Sequence, residues 1–463
     1  MIYKDNKVEN IKIAYIGGGS RGWAWGLMSD LASADDISGE VALYDIDLKA
    51  AQDNVIIGNK FKSAEGAKSE WNYYATETLE EALNGANFVV ISILPGTFDE
   101  MESDVHAPEK YGIYQPVGDS TGPGGIIRAL RTIPMMQVIA EGVKNCCPEA
   151  WVMNYTNPMT VSIKALYETF PEIRAFGCCH EVFGTQHLLA TALGELRGIG
   201  VADRREIKTE VIGVNHFTWI TKAKYRDIDL FPVYRELVEK YGDTGYFEGR
   251  DENWVNNVHR TTQQVKFDLF RRYGLIAAAG DRHLAEFCPG KWYLESPETV
   301  DRWGFGLTSV KWRKEGLEAR LERSRRRLSG EEKIVLSPTG EEGVAQIRAL
   351  LGLEDLVTNV NIPNVGQISN LPMGAVVETN AVFRDSSLVP VMSGAVPTAL
   401  KGLIDRIVCC QELVTEAAIK RDLELAYIAF INDPLVTINH EKARELFNTM
   451  VDNTAKYLSM YKR

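Results

Sequence analysis

The stretch IKIAYIGGGSRG, residues 11–22, runs a short apolar segment straight into glycines spaced G-x-G-x-x-G. Gly17 permits a tight turn, Gly19 lets a pyrophosphate approach the backbone, and Gly22 allows close packing where a helix N-terminus favours anions. Gly18, Ser20 and Arg21 fill the remaining places of the same cradle. A glycine turn alone is a weak sign, but this one sits between an apparent strand and an amphipathic stretch. Asp45 closes the next β-branched run, where a carboxylate reaches both ribose hydroxyls. An acid there favours NAD over its 2′-phosphorylated form. The bland alternative is a glycine-rich turn without a ligand, with Asp45 a strand-end cap.

Outward from that turn, Ile11–Ile16, Val41–Tyr44, Phe88–Ile93, Trp151–Asn154 and Arg174–Cys178 read as strands. Gly22–Ala32, Leu48–Phe61, Leu79–Leu83, Gly125–Lys144 and Pro158–Phe170 read as helices between and after them. Such alternation is the signature of βαβ units around a parallel sheet. The expected fold is α/β, with an N-terminal Rossmann-like doubly wound sheet over residues 1–197. Beyond it the pattern changes: Glu210–Tyr225 and Val357–Phe383 read as longer strands, and Asn253–Arg272 and Thr398–Ala418 as helices. Residues 198–463 are therefore expected to form an α+β domain with substrate walls and an oligomer surface, in a lactate/malate dehydrogenase-like architecture. The charged run RKEGLEARLERSRRRLSGEE, residues 313–332, reads as a solvated helix ending in a loop, with no function assigned.

Bulk properties exclude several classes. A chain of 463 residues with 45% hydrophobic and 25% charged composition is ordinarily globular. A net charge of −12 repels nucleic acid. The N-terminal sequence lacks the pattern of a secretory signal, and no apolar run approaches the roughly 18 residues of a membrane span. A cytoplasmic location is expected. The seven cysteines include three adjacent pairs, 146–147, 178–179 and 409–410, and read as free thiols of which one or two are candidate ligands.

In an open α/β sheet, ligands bind beyond the carboxyl ends of the strands, so residues that follow successive strands converge. Past the apparent strands lie NYTNP at 154–158, CCHE at 178–181 and GVNH at 213–216. Leu94 and Pro95 belong to a loop expected to pass beneath the nicotinamide ribose. A Cys179 thiolate and a His216 imidazole could hold a metal with substrate oxygens completing the shell. Cysteines packed in the core and His216 capping a strand is the competing reading.

At these residues the chain resembles glycoside hydrolase family four. The likeness runs through the glycine turn, NYTNP, the Cys-His-Glu-Val segment at 179–182, GVNH, and NIPNVGQISNLP at 361–372. The Cys-His-Glu-Val sequence, VGDSTGPGGIIRALRTIP at 117–134 and AAAGDRHLAEFCPG at 277–290 are similar to the α-galacturonidase subgroup. The resemblance implies an NAD- and Mn2+-dependent glycosidase. Bound NAD+ oxidises sugar C3, the ketone acidifies C2, and a cation on the C2 and C3 oxygens stabilises the enolate. Elimination, water addition and return of the hydride follow, so NAD is not consumed.

The resemblance further implies Cys179 and His216 as metal ligands, Asn157 in contact with substrate, and His180 in the place of the general acid. Many phosphoglycosidase members have aspartate at that position, and Glu181 is an alternative acid here. In phospho-specific relatives the base is a tyrosine. Here His283 is the first candidate, with Tyr273 in reserve. A uronate carboxylate calls for a planar guanidinium, and Arg128 and Arg282 are the candidates. Either arginine could instead be a structural ion-pair partner. A homodimer or homotetramer acting on an α-galacturonide or short oligogalacturonide is expected, with no nucleic acid or membrane partner. The alternatives are an α-glucosidase or α-galactosidase of the same family, an NAD-dependent dehydrogenase of a small hydroxy acid, and a nucleotide-sensing binding protein.

Overall fold

The computed structural model describes residues 1–247 and 261–461. Its first half alternates strands and helices: β1 (Ile2–Lys4), β2 (Lys7–Ile16), α1 (Trp23–Ser33), β3 (Ile37–Tyr44), α2 (Leu48–Phe61), β4 (Trp71–Ala75), α3 (Leu79–Leu83) and β5 (Phe88–Ile91). Next come α4 (Phe98–His106), α5 (Gly122–Cys146), β6 (Trp151–Asn154), α6 (Met159–Thr169), β7 (Arg174–Gly177) and α7 (Glu181–Arg197). Strands β4-β3-β2-β5-β6-β7 lie side by side and parallel, the order of a Rossmann sheet, so the chain reverses direction across the β2–β5 boundary. Local chemistry supports the punctuation. Asp47 accepts from the Ala50 amide at the start of α2, and Thr78 and Thr97 form capping boxes with Glu81 and Glu100 before α3 and α4.

The second half supplies β8 (Ile207–Val214), β9 (Phe217–Tyr225), β10 (Ile228–Asp229), α8 (Leu230–Tyr241), α9 (Gln264–Tyr273), β11 (Ile276–Ala277), α10 (Asp281–Phe287), α11 (Pro297–Arg302) and α12 (Val310–Ser329). It continues through α13 (Gly343–Leu350), β12 (Leu356–Pro363), β13 (Val376–Arg384), β14 (Ser387–Pro390) and α14 (Thr398–Lys420). β12 joins the edge of β7 antiparallel and carries β13 and β14 outward, so one sheet runs through both halves. β8, β9, β10 and β11 form a separate antiparallel sheet. The fold is a Rossmann-like α/β sheet followed by an α+β portion. Apolar cores fill both faces of the large sheet, and a third packs α7 and α8 against the small one.

Several expected boundaries are corrected. The single strand read at 210–225 is a hairpin whose two-residue turn, Asn215-His216, puts His216 at φ +65°. No Asn-Gly or Asp-Gly pair marked that turn in the sequence. The strand read at 357–383 is likewise two, because Pro363, Gly366, Pro372 and Gly374 punctuate a loop between β12 and β13. The strand read to Ile93 ends at Ile91, freeing the next residues for the cleft. Of the helix expected at 253–272, residues 253–260 lie outside the described residues and the remainder forms α9 from Gln264. β4 and α4 were not foreseen.

Candidate active site

The glycine turn is built to be bare. Gly17 has φ +95°, and a Cβ there would lie 2.1 Å from the Ser92 carbonyl oxygen. A Cβ at Gly19 would meet Ala50 and the Asp45 carboxylate within 2.8 Å. Asp45 accepts from the Gly19 amide at 2.8 Å with one oxygen and from the Asp47 amide at 2.9 Å with the other. It therefore braces the turn, and a carboxylate has lone pairs left for ribose hydroxyls. Ser20 closes onto the Gly17 carbonyl, Arg21 and Gly22 lead into α1, and the buried Asn54 amide donates to the carbonyls of Gly18 and Ser20 at 2.8 and 2.9 Å. Across the sheet reversal, the Ile93 amide donates to Thr156 at 2.9 Å and the Arg131 Nε to the Pro95 carbonyl at 3.3 Å. Leu94 between them stands 41% exposed. Arg131 is itself locked to Asp104 in a fully buried ion pair.

Beyond the strand ends, Asp119, His216 and His283 bring ligand atoms within 4.8 Å of one another. The two imidazoles stack with centroids 3.8 Å apart. Ser120 donates to Asp119 at 2.7 Å, so its oxygen accepts from His216 Nδ1 at 3.0 Å. That fixes the tautomer and leaves the Nε2 lone pair of His216 for a cation. Burial and the neighbouring His283 push His216 down to about 3, against Asp119 and Glu181, so its ring is neutral. Burial would raise Asp119, but Arg128 above all, with His283 and the Ser120 hydroxyl, holds its carboxyl down to about 2. Asn157 donates to Asp119 at 3.2 Å, leaving its own Oδ1 buried without a partner, and its carbonyl accepts from Arg128 Nε at 3.2 Å.

Cys179 follows β7 on the adjoining wall, facing Asn215, the chain neighbour of His216. Burial, with the charges of Glu378 and Glu181, raises its thiol well above the ordinary value. Both amide atoms of Asn215 are buried and unpartnered by protein. A neutral imidazole, an ionised carboxylate, a nearby thiol and orphaned amide atoms fit a divalent cation. Among the described residues, Asp119, His216 and His283 are the donors close enough to share one cation, and the expected pair of Cys179 and His216 has His216 in common with them.

The acid and base candidates separate cleanly. Burial would raise Glu181, yet His283 above all, with His180, holds it well below the ordinary carboxylate range. One oxygen meets His283 Nδ1 at 3.0 Å and the other accepts from the Gly280 amide at 2.6 Å. As an anion so held at the first turn of α7, Glu181 orients the His283 ring. His283 is raised, its burial outweighed by Glu181. His180, just before α7, meets Glu341 at 3.0 Å and lies 6.2 Å from the Trp23 ring. Burial would lower it, but Glu341 raises it to about 9, so it carries a proton near neutrality. Tyr273 is not brought to the cluster: it packs edge-on against Trp219, beside Cys288 and Asp268. Arg282 is engaged by backbone, its Nε on the Gly306 carbonyl at 3.1 Å and another nitrogen on the Pro116 carbonyl and Thr308 hydroxyl.

The sequence reading did not single out Asp119, Ser120, Glu286, Arg313 and Glu341. Asp119 and Ser120 lay inside the quoted VGDSTGPGG, where the glycines drew attention from the acid between them. Glu286, one turn after His283 on α10, accepts from the Val117 and Gly118 amides at 2.7 and 2.8 Å. It thereby anchors the loop that carries Asp119.

A Rossmann sheet whose strand ends open on a buried cluster of histidines and carboxylates defines an enzyme of the dinucleotide-binding α/β class. The profile described as Family 4 glycosyl hydrolase matches residues 12–195, and that of the Family 4 glycosyl hydrolase C-terminal domain matches residues 211–436. The chain belongs to this family and is a glycoside hydrolase. It is 62% identical over 462 residues to an alpha-galacturonidase of Thermoanaerobacterium saccharolyticum, covering 100% of this chain and 99% of that one. A crystal structure from Bacillus subtilis, described as a glucosidase, superposes with TM-score 0.90 at 51% identity, covering 96% of this chain and 100% of that one. At 20% identity, the 6-phospho-beta glucosidase of Thermotoga maritima, solved with manganese, NAD+ and glucose-6-phosphate, shares the fold with TM-score 0.76. That alignment covers 96% of this chain and 99% of that one.

Proposed function

We propose that the protein hydrolyses α-galacturonides, with NAD+ on the glycine turn and Mn2+ at the polar cluster. The observation that carries the reading is the meeting, in one chain, of a Rossmann sheet with a bare glycine cradle and a buried Asp119–His216–His283 group. This meeting occurs in a chain that matches an α-galacturonidase end to end. When bound, the dinucleotide supplies reversible oxidation at sugar C3, and the cation polarises the oxygens at C2 and C3. His216 through Nε2, Cys179 and Asp119 are placed to hold the cation. His283, its Nδ1 tied to Glu181, offers Nε2 to take the C2 proton. His180, protonated against Glu341, donates to the departing glycosidic oxygen. Asn157 presents an unpartnered amide oxygen to a sugar hydroxyl, and Arg128 holds Asn157 and Asp119 in place.

The reading divides the chain near residue 197 into a dinucleotide-binding part and a substrate part. It also places the protein in a reducing cytoplasm, which suits its seven free thiols. Homo-oligomer formation is supported by exposed Val365, Met373, Val389 and Met392 around the outer edge of the large sheet. Light scattering on the purified protein tests it. Among the described residues no helix is long and apolar enough to cross a membrane.

The deciding assay compares release from an α-galacturonide, an α-glucoside, an α-galactoside and a 6-phospho-glucoside, with NAD+, Mn2+ and a thiol reductant. Preferred cleavage of the uronide, solvent deuterium at C2 and no net NADH are expected. NADH formed in step with product would reveal a dehydrogenase, and preference for the phospho-sugar would overturn the substrate assignment.

A further inference from the structure

Three guanidinium groups feel the charge of Asp119, and of these, among the described residues, only Arg313 leaves a buried nitrogen without a hydrogen-bond partner. Arg128 donates its Nε to the Asn157 carbonyl at 3.2 Å and feels the charges of Asp119 and Asp104. Arg282 is engaged by the Pro116 and Gly306 carbonyls and the Thr308 hydroxyl. Arg313 comes from α12, the segment whose sequence reads as a solvated helix. α12 is largely solvated, as read, with only Val310, Ser324 and Arg327 buried, but it lies across α4 and α2, and its Val310 amide donates to His106 at 3.2 Å. Arg313, Arg320 and Arg327, spaced seven residues apart, share one helix face. Arg327 is satisfied by Glu332 and by the Trp25 ring 4.5 Å away. The Nε of Arg313 is buried and has no hydrogen-bond partner, and its charge is felt at Asp119, Arg128 and Arg282.

Asp119 faces Arg128 and accepts from Ser120 and Asn157, and Glu181 is held by His283 and the Gly280 amide, so among the described residues no carboxylate forms an ion pair with Arg313. Burying an unpaired guanidinium is costly unless a ligand completes it, and a planar fork matches a carboxylate bidentately. We propose that Arg313 receives the C6 carboxylate of the uronide and sets the preference for uronide over neutral sugar. This assignment rests on the galacturonidase reading.

The test uses Arg313→Gln and Arg313→Lys enzymes with NAD+ and Mn2+, assayed on p-nitrophenyl α-galacturonide and p-nitrophenyl α-galactoside. The two substrates differ only in carrying COO− or CH2OH. The uronide-to-galactoside ratio of kcat/KM is expected to fall about 100-fold in the glutamine enzyme and about 10-fold in the lysine enzyme. Affinity for galacturonic acid, read by calorimetry, should fall in parallel.

A ratio within threefold of the parent, or equal loss on both substrates, overturns the assignment and leaves the galacturonidase reading intact. Loss of NAD+ affinity with an unchanged ratio also overturns it, showing that Arg313 serves the cofactor pyrophosphate instead. A parent enzyme that prefers the galactoside overturns the galacturonidase reading itself, and the assignment with it. The lysine enzyme keeps the charge, so its partial retention separates charge recognition from misfolding.

Discussion

Asp119 is one carboxylate with five charged or polar neighbours. It accepts from Ser120 and Asn157, faces His216 and His283, and gives Arg128 its counter-charge. Asparagine would keep an acceptor of the same shape but strand a buried arginine. Asp119→Asn should therefore lower kcat/KM by about 100-fold and raise the Mn2+ needed for half-activity by about 10-fold, read by titrating metal into chelated enzyme. Activity within threefold of the parent would remove Asp119 from the site. A second comparison separates the base candidates. His283 lies in the cluster on Glu181, whereas Tyr273 lies with Trp219 and Cys288. Tyr273→Phe should leave kcat within about twofold, while His283→Asn should lower it by about 100-fold or more and suppress deuterium incorporation at C2. The reverse pattern would restore the tyrosine.

At the scale of elements, what the sequence makes legible follows from range. The turn at Gly17–Gly22 and the helices capped by Asp47 and Thr78 are specified by neighbours a few residues away, and they stand where the pattern puts them. The hairpin at Asn215-His216 carries no strong local turn signal, and the inward face of α12 depends on α4 and α2 more than 200 residues earlier. Pairings of that kind leave no trace in periodicity: α12 is the solvated helix its charge predicts, and only its buried Val310, Ser324 and Arg327 escape that reading. Glu286 shows the same limit. Its role depends on Val117 and Gly118, which it reaches from 169 and 168 residues away. Burial raises its carboxyl from the ordinary value to about 7, against those two amides and His283. The folded state thus holds this proton more tightly than the unfolded chain. Its contribution is greatest below the ordinary carboxyl range and is lost as pH rises through about 7. Glu286→Gln keeps a carbonyl for the two amides and removes the titration. Its melting temperature should fall less than the parent's between pH 5 and pH 8, and identical pH profiles would refute the role.

At the scale of the whole molecule, the cleft is assembled from elements that meet only in the finished fold. The glycine turn comes from β2, Cys179 from the end of β7, His216 from the small sheet, His283 from α10 and Arg313 from α12. Lys60 of α2 ties the far end of α12 back to the Rossmann sheet, donating to the Arg327 and Leu328 carbonyls at 2.6 and 3.0 Å. A ligand that binds only this assembled form must stabilise the entire chain by mass action. At 100 times its Kd, NAD+ should add about 2.7 kcal/mol. For 463 residues, an unfolding entropy near 2.1 cal/mol/K per residue converts that to a rise of about 3 °C in melting temperature. Asp45→Ala removes both the brace on the Gly19 amide and the ribose acceptor, so at the same NAD+ concentration the rise should shrink to about 1 °C or less. Scanning fluorimetry with and without NAD+ decides it. An undiminished shift in Asp45→Ala would place the dinucleotide away from the glycine turn, and the hydride-transferring ring away from the sugar proposed to bind at Asp119, His216 and His283.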